Sequence, residues 1–151
     1  MRAAIDQLRQ TRENLIKCFE KHEKNRLIIP DGYKNNLLWN FAHCIVTQQI
    51  LCYKMSNNKM VISDDFVELF KKGTSPSDSS LLPVKIEQIK DLALMTIDRL
   101  DRDYQEGIFR DYVPYKTSYG VELNNIDDAI IFNNIHEGLH LGYMMAMVKS
   151  L

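Results

Sequence analysis

The sequence predicts an all-α fold, a four-helix bundle in one domain over residues 1–151. Four segments repeat apolar residues at the three- and four-residue spacing that lines one helical face. Strand-like patterning is confined to one stretch, residues 111–123. A polar, turn-rich interval, residues 56–82, separates the second and third segments. Hairpin connections between bundle helices usually take about two to eight residues, so this interval reads as a crossover.

The first segment, Ala4 to Lys24, places Ile5, Leu8, Leu15, Cys18 and Phe19 on one face, and Leu27 to Gly32 breaks it, since proline and the Asp-Gly pair favour turns. The second, Asn35 to Met55, continues the pattern through Leu38, Phe41, Ala42, Ile45, Gln49 and Cys52, with Asn35 or Asn36 as the capping residue. Within the crossover, Asp64 to Lys72 forms a short amphipathic piece that Ser63 or Asp64 caps and Gly73 ends. The third helix starts at Pro83, suited to a first helical position, and runs to Tyr104. Residues 111–123 read as extended, a small hairpin with Gly120 at its turn, and Tyr112, Tyr115 and Tyr119 either line a pocket mouth or pack over a bundle end. The last helix starts after Asn125, with Asp127 and Asp128 in the first turn, where the helix dipole favours negative charge.

Charge and composition exclude several function classes. Lysine and arginine number 19 against 20 acidic residues, interspersed, for a formal net charge of -1. Neither nucleic acid nor an anionic membrane is an expected partner. No apolar run approaches the roughly 20 residues that span a bilayer, and Met1 to Gln7 lacks an apolar signal core, so a cytoplasmic protein is expected. Cys18, Cys44 and Cys52 have neither the count nor the spacing of a disulfide framework or a cysteine zinc site, and read as buried thiols.

Chemistry concentrates in His136-Glu137-Gly138-Leu139-His140. Four residues apart on a helix, the imidazoles share a face about 6 Å apart along the axis and can hold one metal ion. The string is the H-E-x-x-H of zinc peptidases, but those take a third ligand downstream, and here residues 141–151 contain no His, Asp or Glu. The third ligand must come from upstream. His22 lies at a polar helix end, whereas His43 sits inside the apolar Leu37 to Ile45, so His43 completes the expected set. It lies roughly 12 Å into its helix, and the levels of all three histidines coincide if the second and last helices are antiparallel.

Three neutral imidazoles with an open position are the ligand set of a catalytic zinc site and would polarise bound water; nickel suits them too. Glu137 is about 100° from His136 around the helix, and three roles stay open for it: orienting a histidine, acting on bound water as a catalytic acid–base group, or facing solvent. Asn40 and Asn133, one turn before His43 and His136, are candidates to hydrogen-bond the ligands from behind.

With these residues in view the chain resembles the DinB-like superfamily. The resemblance rests on Leu38-Trp39-Asn40-Phe41-Ala42-His43, on Phe70-Lys71-Lys72-Gly73-Thr74 with Pro76, and on Tyr119-Gly120-Val121-Glu122-Leu123 leading into Ile135 to Gly142. It implies an up-down-down-up four-helix bundle with the long crossover between helices 2 and 3. It also implies a divalent metal on His43, His136 and His140, and a homodimer. For function it implies a metal-dependent enzyme acting on a small molecule, either a hydrolase activating water or an S-transferase activating a low-molecular-weight thiol as cofactor. The alternative is a non-catalytic metal-binding, stress-response or interaction protein.

Overall fold

The computed structural model describes residues 1–76 and 86–151. Helices dominate it: α1 (Arg2–Lys21), α2 (Leu37–Cys52), the short α3 (Asp64–Phe70), α4 (Ile86–Gln105) and α5 (Ile126–Met147). The expected helix start at Pro83 lies outside the described residues.

Local chemistry accounts for most of the boundaries. Asn36 caps α2, its Oδ1 accepting from the Trp39 amide at 2.8 Å. Ser63 caps α3 in the same way through the Phe66 amide, and Asn125 caps α5 through the Asp128 amide. α1 ends at Lys21, three residues before the expected end, and turns succeed it. α3 ends at Phe70, not at Gly73; Lys71 is extended, and Gly73, at φ +95°, turns the chain. That turn brings the Thr74 hydroxyl back to within 2.9 Å of both the Leu69 and Lys71 carbonyls. The expected hairpin is present as β1 (Tyr115–Lys116) and β2 (Glu122–Leu123), antiparallel with Tyr115 opposite Leu123, and Gly120 sits in its turn at φ +92°.

Two pairings organise the long helices. α1 and α4 run antiparallel: Arg2 meets Asp101 near one end, Arg9 meets Asp98, and Glu20 meets Lys90 near the other. α2 and α5 also run antiparallel, with Asn40 early in α2 touching His140 late in α5, and Leu51 late in α2 sharing a cluster with Ala129 and Ile130 early in α5.

The core is two apolar clusters. One gathers Leu15, Phe19, Phe41, Ile45, Phe70, Ile89, Met144 and Met147; the other gathers Ile5, Leu8, Leu51, Ile97, Leu100, Leu123 and Ile130. Between them, at mid-height, lie buried polar side chains, Arg12, Gln48, Thr96, Asn133 and Glu137. The helices that carry the histidines differ in cover. In α2 every residue but Thr47 and Ile50 is buried, whereas α5 leaves Ile131, Ile135, Leu139 and Met145 exposed on its outer face. Among the described residues no helix is long and apolar enough to cross a membrane.

Candidate metal centre

α2 and α5 bring His43, His136 and His140 together, with one ring nitrogen of each within 4.8 Å of those of the others. Ring centroids are 4.6 Å apart for His136 and His140, 5.2 Å for His43 and His136, and 5.0 Å for His43 and His140. His22, in the turn after α1, is not in this group.

Two of the three rings are fixed from behind. His43 Nδ1 donates to the Phe70 carbonyl at 2.6 Å, and its ring stacks on Trp39 at 4.5 Å and 11°. Trp39 is itself tied to the turn after α3, donating through Nε1 to the Thr74 hydroxyl at 3.0 Å. His140 Nδ1 lies 2.9 Å from Asn40 Oδ1, while Asn40 Nδ2 donates to the Asn36 carbonyl at 2.8 Å. Because the Asn40 amide nitrogen is engaged there, its oxygen faces His140 and accepts. A carbonyl and an amide oxygen only accept, so Nδ1 carries the proton in both histidines and each Nε2 keeps its lone pair, that of His43 accepting from the Thr47 hydroxyl at 3.3 Å. Hydrogen bonds of this kind orient imidazole ligands toward a metal.

His136 differs. Its Nδ1 is buried and has no hydrogen-bond partner among the described residues. A buried polar atom without a partner carries a desolvation penalty, which a bound ligand relieves.

Burial lowers the pKa of all three imidazoles. For His136 burial, then the charges of His140, His43 and Arg12, push it to about 2; for His140 burial and then His43 lower it to about 4. His43 is also lowered by burial, partly opposed by its bond to Phe70. Neutral imidazoles in mutual contact offer lone pairs without first having to lose protons, so the donor set fits a divalent ion of the kind nitrogen ligands favour.

Glu137 is elsewhere. It is fully buried, and Arg12 of α1 grips both its oxygens, Nε at 2.8 Å from Oε2 and Nη2 on Oε1. Asn133 Nδ2 adds a bond to Oε1 at 2.8 Å, and Arg12 Nη1 reaches the Ala93 carbonyl and Thr96 of α4. Burial works to lower the Arg12 pKa, yet the charge and hydrogen bonds of Glu137 outweigh it and the net shift is upward. The structure therefore does not bring Glu137 to the imidazoles as an acid–base group, nor expose it to solvent; it joins three helices. Asn133 is also placed differently from its expected role, since its amide serves Glu137 and not His136.

A cleft of about 110 Å³ opens beside two of the imidazoles, with His43, His136, Ile50, Leu51, Phe132 and Tyr115 in its lining. Of the three tyrosines before α5, Tyr115 borders the cleft, Tyr112 donates to the Leu51 carbonyl at 3.1 Å, and Tyr119 lies exposed with its ring centroid 6.1 Å from that of Phe132. Sequence reasoning missed the Phe70 carbonyl, a backbone group with no side-chain signature. It also missed Arg12, although a signal existed: with Ile5, Leu8, Leu15 and Phe19, Arg12 continues the apolar stripe of α1, and a charge on such a stripe needs a buried partner.

The family model of the DinB superfamily matches residues 7–144. No curated protein matches the chain.

Proposed function

The chain belongs to the DinB superfamily, and from that premise we propose a metal-dependent enzyme in which His43, His136 and His140 hold one divalent ion, zinc or nickel, for chemistry on a small molecule. One observation carries this reading: hydrogen bonds at Nδ1 of His43 and His140 leave both Nε2 atoms as lone-pair donors, that of His43 opposed only by the Thr47 hydroxyl at 3.3 Å, in a cluster whose third ring has a buried nitrogen without a partner among the described residues. When bound there, the ion supplies Lewis acidity, lowering the pKa of water or of a low-molecular-weight thiol.

The chain's own residues do the positioning. Phe70 and Trp39 fix the His43 ring, and Asn40 fixes that of His140. Ile50, Leu51 and Phe132 give the cleft apolar walls that exclude water, while Thr47 and Tyr115 bring hydroxyls to it. With Glu137 held by Arg12, Tyr115, which borders the cleft, takes its place as the candidate proton carrier. The cleft supports an enzyme, hydrolase or thiol S-transferase, over the alternative of a structural ion in a stress-response protein, because a purely structural site needs no opening.

The antiparallel pairings support an up-down-down-up bundle in one domain. The uncharged outer face of α5 supports a homodimer, since Gly138 and Gly142 leave open space between the exposed Ile135, Leu139 and Met145. In sedimentation, L139E is expected to convert a native dimer to monomer; a native monomer would end that part of the reading.

Elemental analysis of protein purified without a histidine tag or added metal tests the centre. Near-stoichiometric zinc or nickel is expected in the native chain and none in the variant with His43, His136 and His140 changed to alanine. A native protein that stays metal-free after dialysis against both ions sinks the proposal.

A further inference from the structure

The geometry points to a small carboxylate or similarly compact oxyanion as the ligand of the cleft beside His43 and His136, with the Lys72 ammonium as the group that selects it. This rests on the proposed metal centre. Lys72 lines the cleft together with Thr47, Ile50, Leu51 and Phe132, and among the described residues no carboxylate does. Lys72 is exposed and, among the described residues, makes no ion pair or hydrogen bond, whereas its neighbour Lys71 is paired with Glu68.

The position of Lys72 is set by the segment that orients the ligands. It lies two residues after Phe70, whose carbonyl holds His43, and two before Thr74, which accepts from Trp39. The Thr74 hydroxyl closes this turn on the Leu69 and Lys71 carbonyls, so the backbone that carries Lys72 is held beside the cleft.

Charge then decides the ligand class. Neutral imidazoles cancel none of a divalent ion's charge, Lys72 adds another positive charge, and apolar walls reduce the screening between them. A ligand with a negative end at Lys72 and a short apolar body against Ile50, Leu51 and Phe132 complements both features within about 110 Å³. The neighbouring cleft, bordered by Asn35, Asn40, Leu139, His140 and Tyr143, has no lysine, arginine or carboxylate among its described lining residues. It includes Asn40, which already holds His140 Nδ1, and does not compete for the role.

The test loads the full chain with cobalt(II), confirms its content by elemental analysis, and titrates propanoate and the neutral isostere propanamide. Visible absorption and the amide NMR shifts of Thr117 and Ser118 are the readouts. Propanoate is expected to bind about threefold or more tighter than propanamide; K72Q should remove that preference, K72R keep it, and added salt weaken it, in the range of one charge-assisted contact. A propanoate affinity that changes less than threefold in K72Q overturns the role of Lys72, because the ion alone would then be attracting the anion. Cobalt bound without any preference for propanoate overturns the anion proposal and leaves the metal centre standing. Failure of cobalt to bind the native chain overturns both.

Discussion

Within one turn of α5 the chain presents two polar faces that differ in burial and in charge pairing. Glu137 points into a closed network in which Arg12, Asn133 and Thr96 are buried, and both carboxylate oxygens have partners. His136 and His140 point at α2, are only partly buried, and include a ring nitrogen with no partner among the described residues. The first face is closed around an ion pair, with Asn133 Oδ1 left without a partner among the described residues, and the second lies beside a cleft. The difference teaches that the string H-E-x-x-H does not by itself define a catalytic unit: the roughly 100° between neighbouring helical positions sends its acid to one partner helix and its bases to another.

The strongest way to break that comparison is to remove one member of the ion pair. R12A or E137Q leaves a charge buried without its partner, which costs about 3–5 kcal/mol, read from urea unfolding. The double variant R12M/E137L should lose less than either single change, because it removes both desolvated charges together. If E137Q instead keeps full stability and alters only catalytic turnover, Glu137 belongs to the functional face and the division between the two faces fails.

Acid should act on the other face. The folded-state pKa values of His136 and His140 lie below the usual value for histidine, so at mildly acidic pH the unfolded chain binds more protons than the folded one. The contribution of these neutral imidazoles to stability is present above about pH 6.5. It is lost as pH falls toward about 4 for His140 and about 2 for His136. Metal-free protein should therefore lose stability below about pH 6.5 more steeply than the triple-alanine variant. Parallel pH profiles in urea would show that the steepness has another origin.

Asn40 and Asn133 sharpen the comparison further, since each precedes a candidate ligand by one turn and only one touches an imidazole. N40A removes the acceptor for His140 and should weaken metal binding about 10–100-fold by competition with a chelator. N133A removes a donor to Glu137 and should change metal affinity by less than about threefold. Equal effects would mean that both amides act on the metal centre through a shared relaxation of α5.

How much of the fold and the site was legible in the sequence depends on the range of each interaction. The histidine pair is visible because four-residue spacing on a helix fixes a common face, and His43 because an ionisable ring inside an apolar segment calls for a partner. Turn-spacing pointed to Asn40 behind His43 and Asn133 behind His136, whereas Asn40 meets His140 across in α5 and Asn133 serves Glu137. Nothing local distinguishes them, because the partner of Glu137 is 125 positions away in α1. The Phe70 carbonyl and the turn that fixes Lys72 depend on where α3 docks against α2, which no periodicity encodes. The four long helices and the hairpin were readable from patterning; the early end of α1 and the extended Lys71 were not, since capping geometry shifts boundaries by a few residues.

The smallest effect expected concerns the thiols behind the closed face. Cys44 and Cys52 are buried, and burial raises both thiol pKa values, that of Cys52 to about 12, with the Glu137 charge adding to the shift and Arg12 opposing it. Cys18 is only partly buried, and its smaller rise, due to burial, is opposed by Lys21. Since the thiolate is the reacting species, a disulfide reagent at pH 8 should modify Cys18 rapidly and the other two only on unfolding. In R12A, Cys44 and Cys52 should become reactive under native conditions, because opening around an unpaired Glu137 exposes the same layer. Should they stay protected while R12A is destabilised, the loss lies in global unfolding alone, and the ion pair joins the three helices without sealing the core beside it.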